Sequence, residues 1–180
     1  MNDKLRVAQI GVGHFGAARR NWMRQTGLFE LVAAYDLNPD AMAAAEREDG
    51  AKPAASYEAL LATPGIEAVI ISTGAKFHAE QLIQAAERGL HVFVEKPLCA
   101  TPEEVTALIE VQRRTGVVIG VGHNDHSHDA VALTTRKMLD EGRLGRVATF
   151  EKTTCHSGGL MIKPGDWRGP SEEQIGRAHV

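Results

Sequence analysis

Short apolar runs alternate with amphipathic segments along the chain as far as Gly122. Each run is bounded by polar or turn-forming residues and has the length of a strand that is buried on both faces of a sheet. We predict strands over residues 5–10, 31–35, 68–72, 90–94 and 117–121.

The segments between these runs carry the end signals of helices. Asn38 followed by Pro39 marks one helix start, Thr101 followed by Pro102 marks another, and Gly89 suits a helix end. We predict helices over residues 15–25, 39–48, 57–61, 77–88 and 101–116, the third of them capped by Ser56. This alternation predicts an α/β fold with a doubly wound parallel sheet, in which ligands bind beyond the carboxyl ends of the strands.

Beyond Gly122 the pattern changes. Residues 128–141 predict one long amphipathic helix, and residues 146–155 have strand character. We predict a first domain over residues 1–122 and the start of an incomplete second α/β domain over residues 123–174. Residues 175–180 match one reading frame of a common sequencing-adapter DNA, so we expect them to lie outside the fold. A genuine polar tail is the alternative.

Composition narrows the class of protein. The chain has 180 residues, 43% of them hydrophobic, and a net charge of -3, which gives no electrostatic case for nucleic-acid binding. No apolar stretch approaches the roughly 20 residues that span a bilayer, so we expect no membrane partner. The N-terminus has no long apolar segment typical of a secretion signal, and the two cysteines form no CxxC pair. We therefore expect a cytoplasmic protein.

A glycine-rich turn follows the first predicted strand. Gly11 permits a tight turn, Gly13 lets the backbone approach a pyrophosphate, and Gly16 lets the helix pack on the strand. His14 and Phe15 lie inside this turn, at the helix N-terminus that would face the anion. The context predicts a dinucleotide-binding Rossmann domain; a tight turn without a ligand is the alternative.

Asp36 ends the second predicted strand, twenty residues beyond the last glycine of the turn. Its carboxylate would accept hydrogen bonds from the adenosine ribose hydroxyls and would repel a 2′-phosphate. Leu37 and Asn38 supply no cation to offset that repulsion. The sequence therefore predicts NAD as the cofactor rather than NADP, with a solvated strand end as the alternative for Asp36.

A second motif, Glu95-Lys96-Pro97, closes the strand predicted over residues 90–94. With the glycine turn and the order of elements, it makes residues 4–170 resemble the N-terminal part of the Gfo/Idh/MocA oxidoreductases, the glucose-fructose oxidoreductase and inositol dehydrogenase family. His78 fits the histidine that follows the family's fourth strand, and Trp167-Arg168 resembles a pair found in many members.

The resemblance implies a catalytic role for Lys96, which would point at the nicotinamide and position the substrate hydroxyl. It also implies a cis Lys96–Pro97 bond. Thr73, His78 and Glu95 would lie at the cofactor, where Glu95 either orients Lys96 or the cofactor amide or forms a plain salt bridge. A substrate role, more weakly supported, is implied for three residues: Asn124, Trp167 and Arg168.

Two departures from the family pattern affect these assignments. Gly74 and Ala75 replace the usual proline and asparagine after the fourth strand, which puts an asparagine contact to the cofactor in doubt. Asp125, His126 and Ser127 replace the usual residues after Asn124, so we expect altered substrate contacts there. Family members continue with an open antiparallel sheet that carries the acid/base histidine, and the resemblance implies a homo-oligomer for the full-length protein.

A cluster after the last predicted strand resembles a set of metal ligands: His123, Asp125, His126, His128 and Asp129. Because polar residues gather at any strand-to-helix junction, we favour the rim of the substrate cleft and predict no metal site.

The sequence thus predicts an NAD(H)-dependent oxidoreductase that moves hydride between the nicotinamide and a secondary hydroxyl of a small sugar- or cyclitol-like molecule. We expect this fragment to be inactive alone. The alternative is a dinucleotide-binding sensor without enzymatic activity on the same fold.

Overall fold

A computed structural model describes residues 4–123, 130–151 and 153 of the chain. Its contacts divide the chain into two compact units, Met1–Gly122 and His123–Val180. Each unit is described by itself below.

The first unit contains a six-stranded parallel sheet. The strands are β1 (Leu5–Ile10), β2 (Phe29–Tyr35), β3 (Lys52–Pro53), β4 (Ala68–Ile71), β5 (His91–Val94) and β6 (Ile119–Val121). Their spatial order is β3-β2-β1-β4-β5-β6, so the chain crosses from one half of the sheet to the other between β3 and β4. The predicted doubly wound α/β fold is confirmed. The two-residue strand β3 was not predicted, because two exposed residues produce no apolar run.

Five helices connect the strands. They are α1 (His14–Thr26), α2 (Pro39–Asp49), α3 (Tyr57–Leu61), α4 (His78–Glu87), which follows a 3₁₀ turn over Ala75–Phe77, and α5 (Pro102–Thr115). The predicted helix starts are confirmed: the side chains of Asn38, Ser56 and Thr101 each accept a backbone hydrogen bond at a helix N-terminus. Thr101 and Glu104 form a complete capping box.

Two apolar clusters cover the two faces of the sheet. One packs Leu60, Leu82, Leu108 and Val111 against the strands, which places α3, α4 and α5 on that face. The other contains Met23 of α1 and Ala45 of α2. The result is the three-layer arrangement expected when helices cover both faces of a parallel sheet.

In the second unit, α6 runs over Ala130–Asp140, inside the helix predicted over residues 128–141. The predicted strand over residues 146–155 is wrong for its described part, since no strand forms over residues 146–151. A strand is stabilised by pairing with a neighbour, and no partner strand lies among the described residues of this unit. Within the described ranges, no helix is both long enough and apolar enough to cross a membrane.

Candidate cofactor site and lysine at the sheet edge

The carboxyl ends of five strands are joined side by side by backbone hydrogen bonds. Gly11 N donates to Tyr35 O at 2.9 Å, and Ser72 N donates to Ile10 O at 2.9 Å. Along the same edge, Glu95 N donates to Ile71 O and Gly122 N donates to Val94 O, both at 2.9 Å. The glycine turn, the end of β4 and the Glu95-Lys96-Pro97 segment therefore share one edge of the sheet, next to the crossover between β1 and β4.

Two glycines of the turn are required by the packing of the protein itself. Gly11 has a φ of +77°, and a Cβ there would lie 2.5 Å from the carbonyl oxygen of Ser72. A Cβ on Gly16 would overlap the carbonyl oxygen of Gly11. The fully buried Gln9 side chain holds both ends of the turn, because its Nε2 donates to Gly11 O at 2.9 Å and to Gly16 O at 3.0 Å.

Gly13 differs from these two glycines. Its φ is -86°, and a Cβ there would make only ordinary contacts, 3.4 Å from the Ala41 Cβ and 3.7 Å from Asp36 Oδ2. The fold itself therefore does not require glycine at this position, whereas close approach of an external group to the backbone would.

The N-terminus of α1 lies next to Gly13 and has the features of an anion-binding site. No side chain caps it among the residues that the structure describes, and its first turn holds no acidic residue, in contrast to α2, α3 and α5. Free N–H groups and the positive end of a helix dipole suit a phosphate. The residues present thus fit a dinucleotide pyrophosphate.

Asp36 is tied to the glycine turn. Its Oδ2 accepts hydrogen bonds from Val12 N at 2.8 Å and Gly13 N at 3.1 Å, and its Oδ1 accepts one from Asn38 N at 2.9 Å. Because an ionised carboxylate offers about four acceptor positions, one remains for a ligand hydroxyl.

His14 and Phe15 open α1 with exposed side chains. His14 has a φ of 42°, the positive value that a non-glycine residue rarely adopts. Phe15 packs edge-on against Trp22, with 5.6 Å between ring centroids. The assignment of these two side chains to the cofactor stays a prediction.

Thr73 and His78 follow β4. The Thr73 hydroxyl donates to Gln81 Oε1 at 2.6 Å. His78 is buried, with Nδ1 2.7 Å from Pro97 O and Nε2 3.0 Å from Thr73 O. The ring therefore connects the segment after β4 to the segment after β5. A direct contact of either side chain with a cofactor stays a prediction; the contacts seen here hold the edge together.

At the end of β5, the predicted cis Lys96–Pro97 bond is confirmed. Lys96 is exposed and Glu95 is buried. The Glu95 carboxylate forms an ion pair with Arg19 of α1, which corresponds to the salt-bridge alternative for this residue. The catalytic assignment of Lys96 itself stays a prediction.

Sequence reasoning missed three residues that shape this edge: Gln9, Arg19 and Gln81. Gln9 could have been found, because it is a polar residue inside the apolar run of β1 and a buried amide needs hydrogen-bond partners. The spacing of Phe15, Arg19 and Trp22 was a signal for the second, since residues four and seven apart share one helix face. Gln81 gave no signal. The predicted substrate residues Asn124, Trp167 and Arg168 lie outside the described residues.

Comparison with known proteins identifies the fold and the relatives. The model of an oxidoreductase family with an NAD-binding Rossmann fold, GFO_IDH_MocA, matches residues 5–123. The NAD-dependent scyllo-inositol 2-dehydrogenase of Bacillus subtilis is 32% identical over 90% of this chain and 51% of its own length. The inositol 2-dehydrogenase of Streptomyces avermitilis is 32% identical over 81% of this chain and 43% of its own.

Solved structures agree with these relatives. The WlbA dehydrogenase of Bordetella pertussis, solved with NADH and UDP-GlcNAcA, superposes with a TM-score of 0.73 at 30% identity, over 80% of this chain and 44% of that one. The myo-inositol 2-dehydrogenase of Lactobacillus plantarum gives 0.72 at 29% identity, over 81% and 43%. The chain spans between 36% and 51% of the length of the curated relatives it resembles.

Proposed function

The chain belongs to the Gfo/Idh/MocA oxidoreductase family, and from that premise we propose that it is the cofactor-binding part of an NAD(H)-dependent oxidoreductase. The complete enzyme would move hydride between the nicotinamide and a secondary hydroxyl of a sugar- or cyclitol-like substrate. One observation carries the proposal: Asp36 is hydrogen-bonded to the glycine turn beside an uncapped helix N-terminus, on the same sheet edge as Lys96.

The residues of the glycine turn have separate roles at the cofactor. The first N–H groups of α1 would hold the pyrophosphate, and Gly13 would allow it to approach the backbone. Asp36 would accept a hydrogen bond from a ribose hydroxyl and repel a 2′-phosphate. Since Leu37 and Asn38 add no cation, we propose NAD rather than NADP as the cofactor.

Lys96 would act on the substrate. When bound, the cofactor supplies the hydride acceptor or donor. The Lys96 ammonium would donate a hydrogen bond to the reacting hydroxyl and hold it toward the nicotinamide, and the amine is a suitable group for proton exchange. Glu95 would not compete for the hydroxyl, because its carboxylate is buried and paired with Arg19.

The names of the relatives support the substrate class. They include inositol dehydrogenases and the levoglucosan dehydrogenase of Pseudarthrobacter phenanthrenivorans, which is 36% identical over 84% of this chain. We propose that residues 123–174 begin the substrate and oligomerisation domain, that Asn124, Trp167 and Arg168 contribute to the substrate side, and that the protein works in the cytoplasm as a homo-oligomer. The 180-residue chain would bind NADH weakly and turn over no substrate.

The test compares the chain with a version extended by the continuation of its gene. Calorimetry measures NADH and NADPH affinity for both forms, and absorbance at the NADH band measures turnover with inositols, anhydrosugars and hexoses. The proposal predicts NADH binding by both forms and turnover only by the extended form. If the extended form binds NADH but reduces or oxidises none of these substrates, the sensor function replaces the enzyme.

A further inference from the structure

Arg19 lies in an unusual setting for a surface-helix arginine. It forms an ion pair with Glu95, and the two side chains are only 16% and 8% exposed. Three aromatic rings surround its guanidinium, with the centroids of Phe15, Trp22 and Phe93 at 5.5, 4.9 and 4.5 Å from Cζ. Rings at these distances attract a cation, so the guanidinium is held by the ion pair and by the rings together.

Gly122 completes the setting at the end of β6. A Cβ on Gly122 would lie 2.9 Å from Glu95 Oε2 and 3.1 Å from Arg19 Nη2. The ion pair therefore fills the space over this glycine and connects α1, the end of β5 and the end of β6. A longer side chain at Gly122 would displace the Glu95 carboxylate.

The pair fixes the residue that directly precedes Lys96. Glu95 is anchored through its carboxylate by Arg19 and through its backbone N–H by Ile71 O at 2.9 Å. On the other side of Lys96, the Pro97 carbonyl oxygen meets the His78 ring at 2.7 Å. The backbone of Lys96 is thus fixed at both neighbours, while its own side chain stays exposed.

We propose that Arg19 is a positioning residue for Lys96 that acts through Glu95. The inference rests on the proposed function, in which Lys96 positions the reacting hydroxyl. A lysine side chain is long and flexible, so the position of its ammonium depends on where its backbone is held. Removing Arg19 would leave a buried carboxylate without a partner, and Glu95 would turn toward water and move the adjacent backbone.

Arginine suits this role better than lysine. The planar guanidinium can stack on aromatic rings and still donate sideways to a carboxylate, whereas an ammonium is a compact, strongly hydrated point charge. Arg19→Lys is therefore expected to keep only part of the kcat that Arg19→Met loses.

The experiment uses the gene-extended protein and three arginine variants. Arg19→Met and Arg19→Lys test the pair, and Arg24→Met is the matched control, because Arg24 lies on the same helix and forms an ion pair with Asp49 instead. For each protein, kcat, KM, the NADH Kd and the thermal midpoint are measured. The lysines of the 180-residue chain are also labelled with ¹³C-methyl groups for NMR. The Lys96 signal is assigned as the one missing in Lys96→Arg, and it is followed as NADH is added.

We expect Arg19→Met to lower kcat by about 10- to 100-fold, the size of effect that an ångström-scale misplacement causes. The NADH Kd should stay within about twofold, because the glycine turn and Asp36 are untouched. Arg19→Lys should recover part of kcat, and Arg24→Met should leave it unchanged. The response of the Lys96 signal to NADH should be lost in Arg19→Met and kept in Arg24→Met.

The double variant Arg19→Met/Glu95→Gln should recover part of the kcat that Arg19→Met loses, because the buried carboxylate that has no partner is gone. If Arg19→Met does not fold, Gly122→Ala tests the same contact by displacing the carboxylate without removing a charge. A kcat equal to that of Arg24→Met, or equal losses of kcat, NADH affinity and thermal midpoint, would overturn the positioning role. Normal turnover in Lys96→Ala would instead refute the proposed function on which it rests.

Discussion

Asp36 at the end of β2 and Val12 in the glycine turn are joined by a hydrogen bond of 2.8 Å from the Val12 N–H to Asp36 Oδ2. The same oxygen accepts from Gly13 N at 3.1 Å. The carboxylate therefore does more than end a strand, because it also holds the backbone of the glycine turn. Cofactor preference and turn geometry consequently depend on one side chain.

Asp36→Ala should relax the preference for NADH over NADPH, because the charge that would repel a 2′-phosphate is lost. It should also weaken NADH binding by about 1–2 kcal/mol, since one hydrogen bond to a charged acceptor is removed and the turn loses its support. Calorimetric titration of both nucleotides measures both effects. Asp40→Ala is the control, because Asp40 is exposed and, within the part of the chain that the structure describes, its hydrogen bond to a side chain is made by its backbone N–H, which donates to Asn38 Oδ1. An unchanged nucleotide ratio in Asp36→Ala would refute the ribose contact.

Lys96→Ala should abolish turnover in the gene-extended protein and largely keep NADH affinity. The lysine is exposed at the sheet edge and forms no ion pair found among the described residues, so its removal leaves no buried charge behind. Steady-state kinetics and NADH titration separate the two quantities. Lys76→Ala serves as the control for a general loss of positive charge, because Lys76 is an exposed lysine in the 3₁₀ turn that follows β4. Near-normal turnover in Lys96→Ala would remove the catalytic assignment.

His78→Leu should lower the free energy of unfolding by about 1–3 kcal/mol, because the ring N–H that donates to one of the two carbonyl oxygens, Thr73 O or Pro97 O, would be lost and that oxygen left without its partner in a buried place. His78→Gln should lose less, since a glutamine amide can still donate to one of them. Urea denaturation of the 180-residue chain measures both variants. Equal stability of the two variants would mean that the ring packs there without its hydrogen bonds contributing.

Tyr57→Phe should lower the free energy of unfolding by about 1 kcal/mol at neutral pH, because the phenol donates to Gln81 O at 2.7 Å. Burial raises the pKa of Tyr57 above its ordinary value, with the neighbouring Arg88 acting in the opposite direction. A raised pKa in the folded state means that this stabilisation is complete below about pH 10 and is lost as the pH rises above it.

The comparison for this prediction is the slope of stability against pH. The wild-type chain should lose stability above about pH 10 more steeply than Tyr57→Phe. Chemical denaturation at a series of alkaline pH values gives both slopes. Parallel curves would show that the buried phenol does not contribute to alkaline unfolding.

The order and type of the elements could be predicted from the sequence because each depends on local patterns. The apolar run of residues 5–10, the cap at Asn38 and the capping box at Thr101 specify a strand and two helix starts without reference to distant residues. The strand predicted over residues 146–155 was wrong in its described part, because strand propensity alone supplies no pairing partner.

The contacts that shape the sheet edge could be decided only by the tertiary structure. Arg19 and Glu95 are 76 residues apart, and His78 meets Pro97 across 19 residues. No local pattern fixes which charge meets which, because the pairing depends on how α1, β4 and β5 are placed around the sheet. The fold, the glycine turn and the family could be predicted from the order of residues alone, because each rests on patterns that are local in the chain. The tertiary structure decided that Asp36 supports the turn and that Lys96 lies between two anchored neighbours, since hydrogen bonds and ion pairs depend on ångström distances that only folding sets.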